Sequence, residues 1–317
     1  EGKRMNLSDI IFKAENAYQR MQNEVNTKDI IKLVGEQLLE NEDLLEQARI
    51  NDDIEHLPLI SIRNEFEKIA ERSREYKKTI ESFKTEDGFI YGTQQESIGV
   101  FGVIYEGDPY ITAGLVARAI ATHNAMILCT NKNITTNGLI IELTKKVLSA
   151  NKCPADLVQI VFEGETELCQ NSLRINRVLV IGDREKQQEV IEKARVEVMT
   201  SGYDHYEIYI EDEVDRELIS KIIKSKAKIK ILVNEDLKQN YEGLETVDDI
   251  DHAIAEINRS GSGFSASIIT KDRKNAVKFM TEVKAKTVSV NASPMIHGGF
   301  DINFEDLMLK KNVFYPF

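Results

Sequence analysis

Apolar residues in the first part of the chain recur at helical spacing. Leu7, Ile10, Ile11, Ala14 and Ala17 share one stripe, with Asn6 or Ser8 placed to cap its start. Thr27 opens a second stripe through Ile30, Ile31, Leu33, Val34, Leu38 and Leu39, and the Asp52-Asp53 pair with Pro58 breaks it. Residues 60–84 predict a further helix, dense in Glu, Lys and Arg. Ile62, Phe66, Ile69, Tyr76 and Ile80 form its inner side, and the charges form a solvated face.

After Asp87-Gly88 the period changes. Residues 89–96 read as an exposed strand and 98–105 as a buried one, followed by a helix of small residues. Short apolar runs then alternate with helical patterns. Strands are predicted at 125–128, 158–162, 179–181, 196–199, 207–210, 229–233, 265–269 and 287–290. Helices are predicted at 136–150, 186–194, 216–226, 247–257 and 272–283. Such β-α-β alternation predicts an α/β fold of parallel sheets covered by helices on both faces.

Bulk properties narrow the function classes. A chain of 317 residues is long enough for two domains. Its net charge of −12 argues against general nucleic-acid binding, which draws most of its affinity from a basic surface. No apolar run is long enough to span a bilayer, and no leader-like segment is visible. The cysteines are sparse and odd in number: Cys129, Cys153 and Cys169. They read as reduced thiols, so a cytoplasmic location is expected, with Cys129 the most accessible because it follows a buried strand. The five histidines show no metal-ligand spacing, and no metal is expected.

Two phrases carry a family resemblance. The first runs Ser97-Ile98-Gly99-Val100-Phe101-Gly102-Val103-Ile104-Tyr105-Glu106-Gly107-Asp108-Pro109-Tyr110-Ile111-Thr112. The second runs from Asp251 through Asn258-Arg259-Ser260-Gly261-Ser262-Gly263 to Val288-Ser289-Val290-Asn291-Ala292-Ser293. Far apart and in the right order, they resemble γ-glutamyl phosphate reductase, a branch of the aldehyde dehydrogenase superfamily. The resemblance covers most of residues 88–293. It implies an aldehyde-dehydrogenase-like fold: two three-layer α/β domains with parallel sheets, and small strands used for oligomerisation. The expected division is a cofactor-type domain at 1–212 including an oligomerisation strand at 88–97, a reduced catalytic-type domain at 213–296, and a tail at 297–317.

The same resemblance implies chemistry that these residues do not carry. Enzymes of this superfamily use a cysteine thiolate that takes up the acyl group while a nicotinamide exchanges hydride with it. The matching stretch here is Ser225-Lys226-Ala227-Lys228-Ile229-Lys230-Ile231-Leu232-Val233, with no cysteine near it. The family's Arg and Asn in the first phrase are replaced by Asp108 and Tyr110. Its Gly-rich phosphate turns are replaced by Cys129-Thr130-Asn131 and Gly182-Asp183-Arg184-Glu185. Its later Gly-containing segment reads Thr200-Ser201-Gly202-Tyr203-Asp204-His205-Tyr206. Thr130, Lys132, Gly182 and Gly202 are the positions left for a cofactor, and Lys132 is equally an ordinary surface lysine.

His205, Tyr206 and Glu207 stand at a strand entrance and form an acid/base set only if the fold turns them together. After Gly298-Gly299-Phe300 the family's long closing segment is missing, and Val233 to Val247 is shorter than in the family. No residue is assigned a catalytic role. The expected function is a degenerate reductase-like protein without reductase activity, acting through protein–protein interaction or regulation. The alternative is an NAD(P)-dependent oxidoreductase with an altered site. No cofactor is expected, although NAD(P) stays open. The aromatic tail Asn312-Val313-Phe314-Tyr315-Pro316-Phe317 and the strand at Phe89 suggest a homo-oligomer or a mixed oligomer with a related protein, the alternative being a tail packed within its own chain.

Overall fold

The computed structural model describes residues 6–22, 26–213, 215–225, 227–295 and 302–316. The first stripe folds as α1 (Leu7–Met21), whose Asn6 cap accepts the Ser8 N–H at 3.2 Å. The second stripe becomes α2 (Thr27–Glu40) and, after one residue, α3 (Glu42–Asn51). α4 (Leu59–Arg72) lays Ile62, Phe66 and Ile69 against α2, where Ile31, Val34 and Leu38 are buried.

The expected helix over 60–84 stops at Arg72. Lys77 takes a left-handed φ of 57°, and β1 (Thr79–Lys84) follows. Ile80 is therefore 48% exposed on a strand instead of buried on a helix. Thr79 and Ile80 are β-branched, and pairing to the next strand overrides the helix-favouring charges. That partner, β2 (Phe89–Ser97), is not an exposed strand: Thr93, Gln95 and Ser97 are buried and it is paired on both sides.

β3 (Val100–Tyr105) is buried along its whole length, and α5 (Pro109–Thr122) follows it. Then come β4 (Ala125–Cys129), α6 (Ile134–Ala150), β5 (Val158–Val161) and α7 (Glu165–Gln170). β6 (Arg177–Ile181), α8 (Arg184–Lys193) and β7 (Glu197–Ser201) complete a five-stranded sheet in the order β5-β4-β3-β6-β7. β3, β4 and β5 run parallel, joined by the crossover helices α5 and α6.

A second five-stranded sheet contains β8 (His205–Ile210), α9 (Arg216–Ile223), β9 (Lys228–Asn234), β10 (Glu245–Val247), α10 (Ile250–Ser260), β11 (Ser265–Ile269), α11 (Arg273–Glu282) and β12 (Thr287–Val290). Its order is β10-β9-β8-β11-β12, and every pairing is parallel. α10 starts at Ile250 and not at Val247, because Val247 pairs with β9 and Asp249 caps the helix. Successive β8 side chains serve opposite cores: Tyr209 packs with Ile254 and Phe279, whereas Ile208 and Ile210 pack with Ile219 and Ile222.

β13 (Met308–Pro316) pairs antiparallel with β2 along its whole length, giving a third sheet ordered β1-β2-β13. The expected tail strand thus finds a partner within the chain; Gly298, Gly299, Phe300 and Phe317 lie outside the described residues.

The chain packs as two units. One comprises Glu1–Leu179, Lys193–Met199 and Ile302–Phe317, and the other Val180–Glu192 and Thr200–Asp301. The first is tied internally by a buried ion pair, Arg118 Nη2 to Glu65 at 2.8 Å. The same guanidinium donates to the Ile302 carbonyl at 3.1 Å. Among the described residues no helix is long and apolar enough to cross a membrane.

Candidate functional site

In the first unit, the residues after β3 are held in a network of hydrogen bonds within the fold. Asp108, standing where the family has Arg, caps α5: its carboxylate accepts the Tyr110 N–H at 2.7 Å. Pro109 occupies the first helical turn, where its missing N–H is harmless. The Tyr105 and Thr112 hydroxyls lie 2.7 Å apart, Thr112 donates to Asn137 Oδ1 at 2.6 Å, and Asn137 donates to the Gly107 carbonyl at 2.7 Å. Burial pushes the Tyr105 phenol far above its ordinary range.

Thr130 and Lys132 belong to the next turn, after β4. Thr130 is buried, and its hydroxyl accepts the Lys132 N–H at 3.2 Å. The Lys132 side chain is exposed. Gly107 has φ +82°, and a Cβ there would sit 2.5 Å from Thr130 Oγ1 and 2.7 Å from the Lys132 carbonyl. The two turns are closed against each other.

Gly182 and Gly202 belong to the second unit. The Gly182 N–H donates to the Ser201 carbonyl at 3.0 Å, which brings the two glycines close. A Cβ on Gly202 would lie 2.5 Å from the Ser262 carbonyl, so that glycine serves packing. The turn into α8 is filled by its own residues. Asp183 accepts the Lys186 N–H at 2.8 Å, and Gln187 donates to the carbonyls of Gly182 at 2.9 Å and Ser262 at 3.2 Å. A carboxylate at this helix start repels a phosphate, so the residues present do not fit one.

The second unit holds a cleft of about 330 Å³ at the N-terminal ends of β8 and β9, lined in part by His205, Tyr206, Glu207, Lys228, Lys230 and Ser262. The fold therefore does bring His205 and Glu207 to one place. Glu207 is 3% exposed; one carboxylate oxygen accepts the Ser262 N–H at 2.6 Å, and the other has no hydrogen-bond partner among the described residues. Burial raises its pKa above the ordinary carboxylate value, against the opposing hydrogen bond from Ser262. Lys230 is committed elsewhere, donating to Glu256 at 2.5 Å and to Ser260 at 2.9 Å. Burial alone would raise the Glu256 carboxyl, but Lys230, Arg259 and Ser260 outweigh it and hold it at about 2.

Among the described residues, the hydroxyls of the two cleft serines are already engaged. The Ser262 hydroxyl donates to the His205 carbonyl at 2.9 Å, and the Ser260 hydroxyl donates to Glu256. Lys226 lies outside the described residues. All three thiols are buried in the first unit, and Cys129 is 1% exposed, contrary to its expected accessibility. It is the last residue of β4, a strand buried along its whole length. Among the described residues no group of His, Cys, Asp and Glu is arranged to hold a metal ion.

Comparison with known proteins places this geometry. Residues 244–301 match the aldehyde dehydrogenase family. The structure of betaine aldehyde dehydrogenase from Staphylococcus aureus superposes with a TM-score of 0.79 at 14% identity, covering 100% of this chain and 90% of that one. That of γ-glutamyl phosphate reductase from Thermotoga maritima gives 0.74 at 19% identity, covering 98% of each chain. The fold is that of the aldehyde dehydrogenases, with two parallel α/β sheets and a small antiparallel one. Within that class, γ-glutamyl phosphate reductase from Clostridium perfringens is 27% identical over 88% of this chain and 83% of its own length. The chain is thus a homologue of the γ-glutamyl phosphate reductases at moderate identity over most of its length.

Proposed function

We propose that this chain is a non-catalytic relative of γ-glutamyl phosphate reductase that acts by associating with a second copy of itself or with a related protein. One observation carries the reading. No cysteine follows Cys169, so the catalytic-type half contains no thiol, and the three thiols present are buried elsewhere. Acyl transfer through a thioester has no nucleophile to begin from. Asp108 as a helix cap and a cleft whose hydroxyls are already engaged support the same conclusion.

Association is supported by the outward aromatic row of the antiparallel sheet. Phe83, Tyr91 and Phe314 share one register line across β1, β2 and β13, with ring centroids 4.7 Å and 5.1 Å apart. Phe83 and Phe314 are more than half exposed, an arrangement that favours covering by another surface.

A second reading is an oxidoreductase with altered chemistry, favoured by the buried carboxyl of Glu207 in its cleft. One assay separates the two. The purified protein is given NADP⁺, phosphate and glutamate semialdehyde, and the nicotinamide absorbance is followed. No turnover above the protein-free rate is expected. Turnover lost on Cys129→Ser would show that a buried thiol becomes reachable. Turnover that survives replacement of all three cysteines would favour the second reading.

A further inference from the structure

The aldehyde dehydrogenase fold implies a nicotinamide dinucleotide, and the N-terminus of α6 is where the structure answers that expectation most directly. A helix N-terminus presents unpaired N–H groups and partial positive charge, a ready seat for a phosphate. In parallel α/β sheets such seats lie just beyond the carboxyl ends of the strands, and four residues separate the end of β4 from the start of α6.

This seat is filled from within the chain. Asn133, the residue before α6, is left-handed with φ 52° and makes no side-chain cap; its amide donates to the Gly107 carbonyl at 2.9 Å. The N–H groups of Thr135 and Thr136 donate instead to the two carboxylate oxygens of Asp52, at 3.2 and 2.6 Å. Asp52 ends α3, 84 residues before Thr136. Burial would raise its carboxyl, but the donors of Thr136 and Thr135 outweigh this and hold it below its ordinary range.

A second observation shows the shape of what the seat was suited to. The hydroxyl of Thr136 is fully buried at the same helix start, and it too acts on the Asp52 carboxylate, helping to lower its pKa. Each Asp52 oxygen accepts one N–H and keeps a further lone pair for this hydroxyl, so the carboxylate meets the donors that an anion at this helix start would use.

We propose that Asp52 is a built-in substitute for a ligand phosphate at α6, so that the cofactor-type fold of this chain does not take a nicotinamide dinucleotide. Asp183 stands in the same relation to α8, where it accepts the Lys186 N–H. The proposal is independent of catalytic silence: a chain without a thiol could still bind a dinucleotide.

The test uses the full chain, NADPH and inorganic phosphate as probes, and sodium chloride at matched ionic strength as control. For the unaltered protein, NADPH fluorescence is expected to show no saturable change, and phosphate to move the melting temperature no more than the chloride does. Asp52→Ala is expected to melt about 2–4 °C lower, the effect of losing a helix cap. Phosphate, but not chloride, should then raise it saturably. Asp52→Asn keeps an acceptor and loses the charge, and a smaller phosphate response is expected; this variant carries the test if the alanine form does not fold. Saturable NADPH binding by the unaltered protein would overturn the proposal. So would variants that respond to phosphate no more than the parent.

Discussion

Gly35 sits in the middle of α2, where glycine is ordinarily a poor helix residue and alanine an improvement of about 1 kcal/mol. Here the sign reverses. A Cβ at Gly35 would lie 2.9 Å from Phe66 Cβ, and Phe66 is fully buried on α4. Gly35→Ala is expected to lower stability by about 1–3 kcal/mol through overpacking, read as a lower denaturant midpoint. A midpoint raised by the substitution would mean that α2 and α4 can move apart. Single residues were legible in the sequence where composition alone decides: that no cysteine follows Cys169 needs no structure to be seen. Residues whose role depends on a distant partner were not. Asp52 reads as a helix breaker until α6 is placed beside it, and Glu207 reads as one of many acids until its burial is known.

Among the elements, helix ends are where local and long-range demands meet. α5 stops at His123, which takes a left-handed conformation with φ 54°. Its ring is 5% exposed, lies 3.8 Å from that of Tyr76, and places Nδ1 2.9 Å from the Met21 carbonyl. Burial, with a smaller contribution from Lys77, depresses its pKa from 6.5 to about 4. Between those values the unfolded chain takes up a proton that the folded chain refuses. Stability is therefore lost as pH falls from about 6.5 to about 4, by roughly 3 kcal/mol over the window. His123→Asn keeps a residue that tolerates the left-handed turn and removes the titration. Denaturant midpoints at pH 7 and pH 4.5 are expected to differ less in that variant than in the parent, and equal differences would sink the assignment.

Element types were legible where one face of a periodic segment is buried, as in α1 and α2, or where a short apolar run is buried throughout, as in β3 and β11. β1 was not, because its burial pattern is exposed throughout and only pairing with β2 makes it a strand. α7 escaped for a related reason: six residues are too few to show a period.

For the molecule as a whole, the parallel sheets followed from β-α-β alternation, whereas the way the far end of the chain returns to β2 did not. Strand pairing over long separation leaves no local pattern. The aromatic row on that sheet makes assembly testable. Light scattering at tens of micromolar, a working range for weak association, is expected to give a mass above one chain. A version ending at Asn312 lacks Phe314 and Tyr315, which face Tyr91 and Ile90, and is expected to be monomeric. A full chain that stays monomeric would refute self-association and leave a related protein as the partner.

The β2–β13 ladder also sets an order of events during synthesis. Tyr91 and Asn312 are 221 residues apart, yet they meet side by side. At about 5–20 residues per second, β2 waits roughly 10–40 s for β13 to be made. During that interval the β1–β2 hairpin is complete on one side and open on the other, with its aromatic residues already in place. Any strand that reaches the open edge first competes with β13. Two nascent chains translated from one message carry the same open edge, the kind of edge on which strands of other chains pair. Slower translation of residues 210–300 lengthens the interval before β13 covers it.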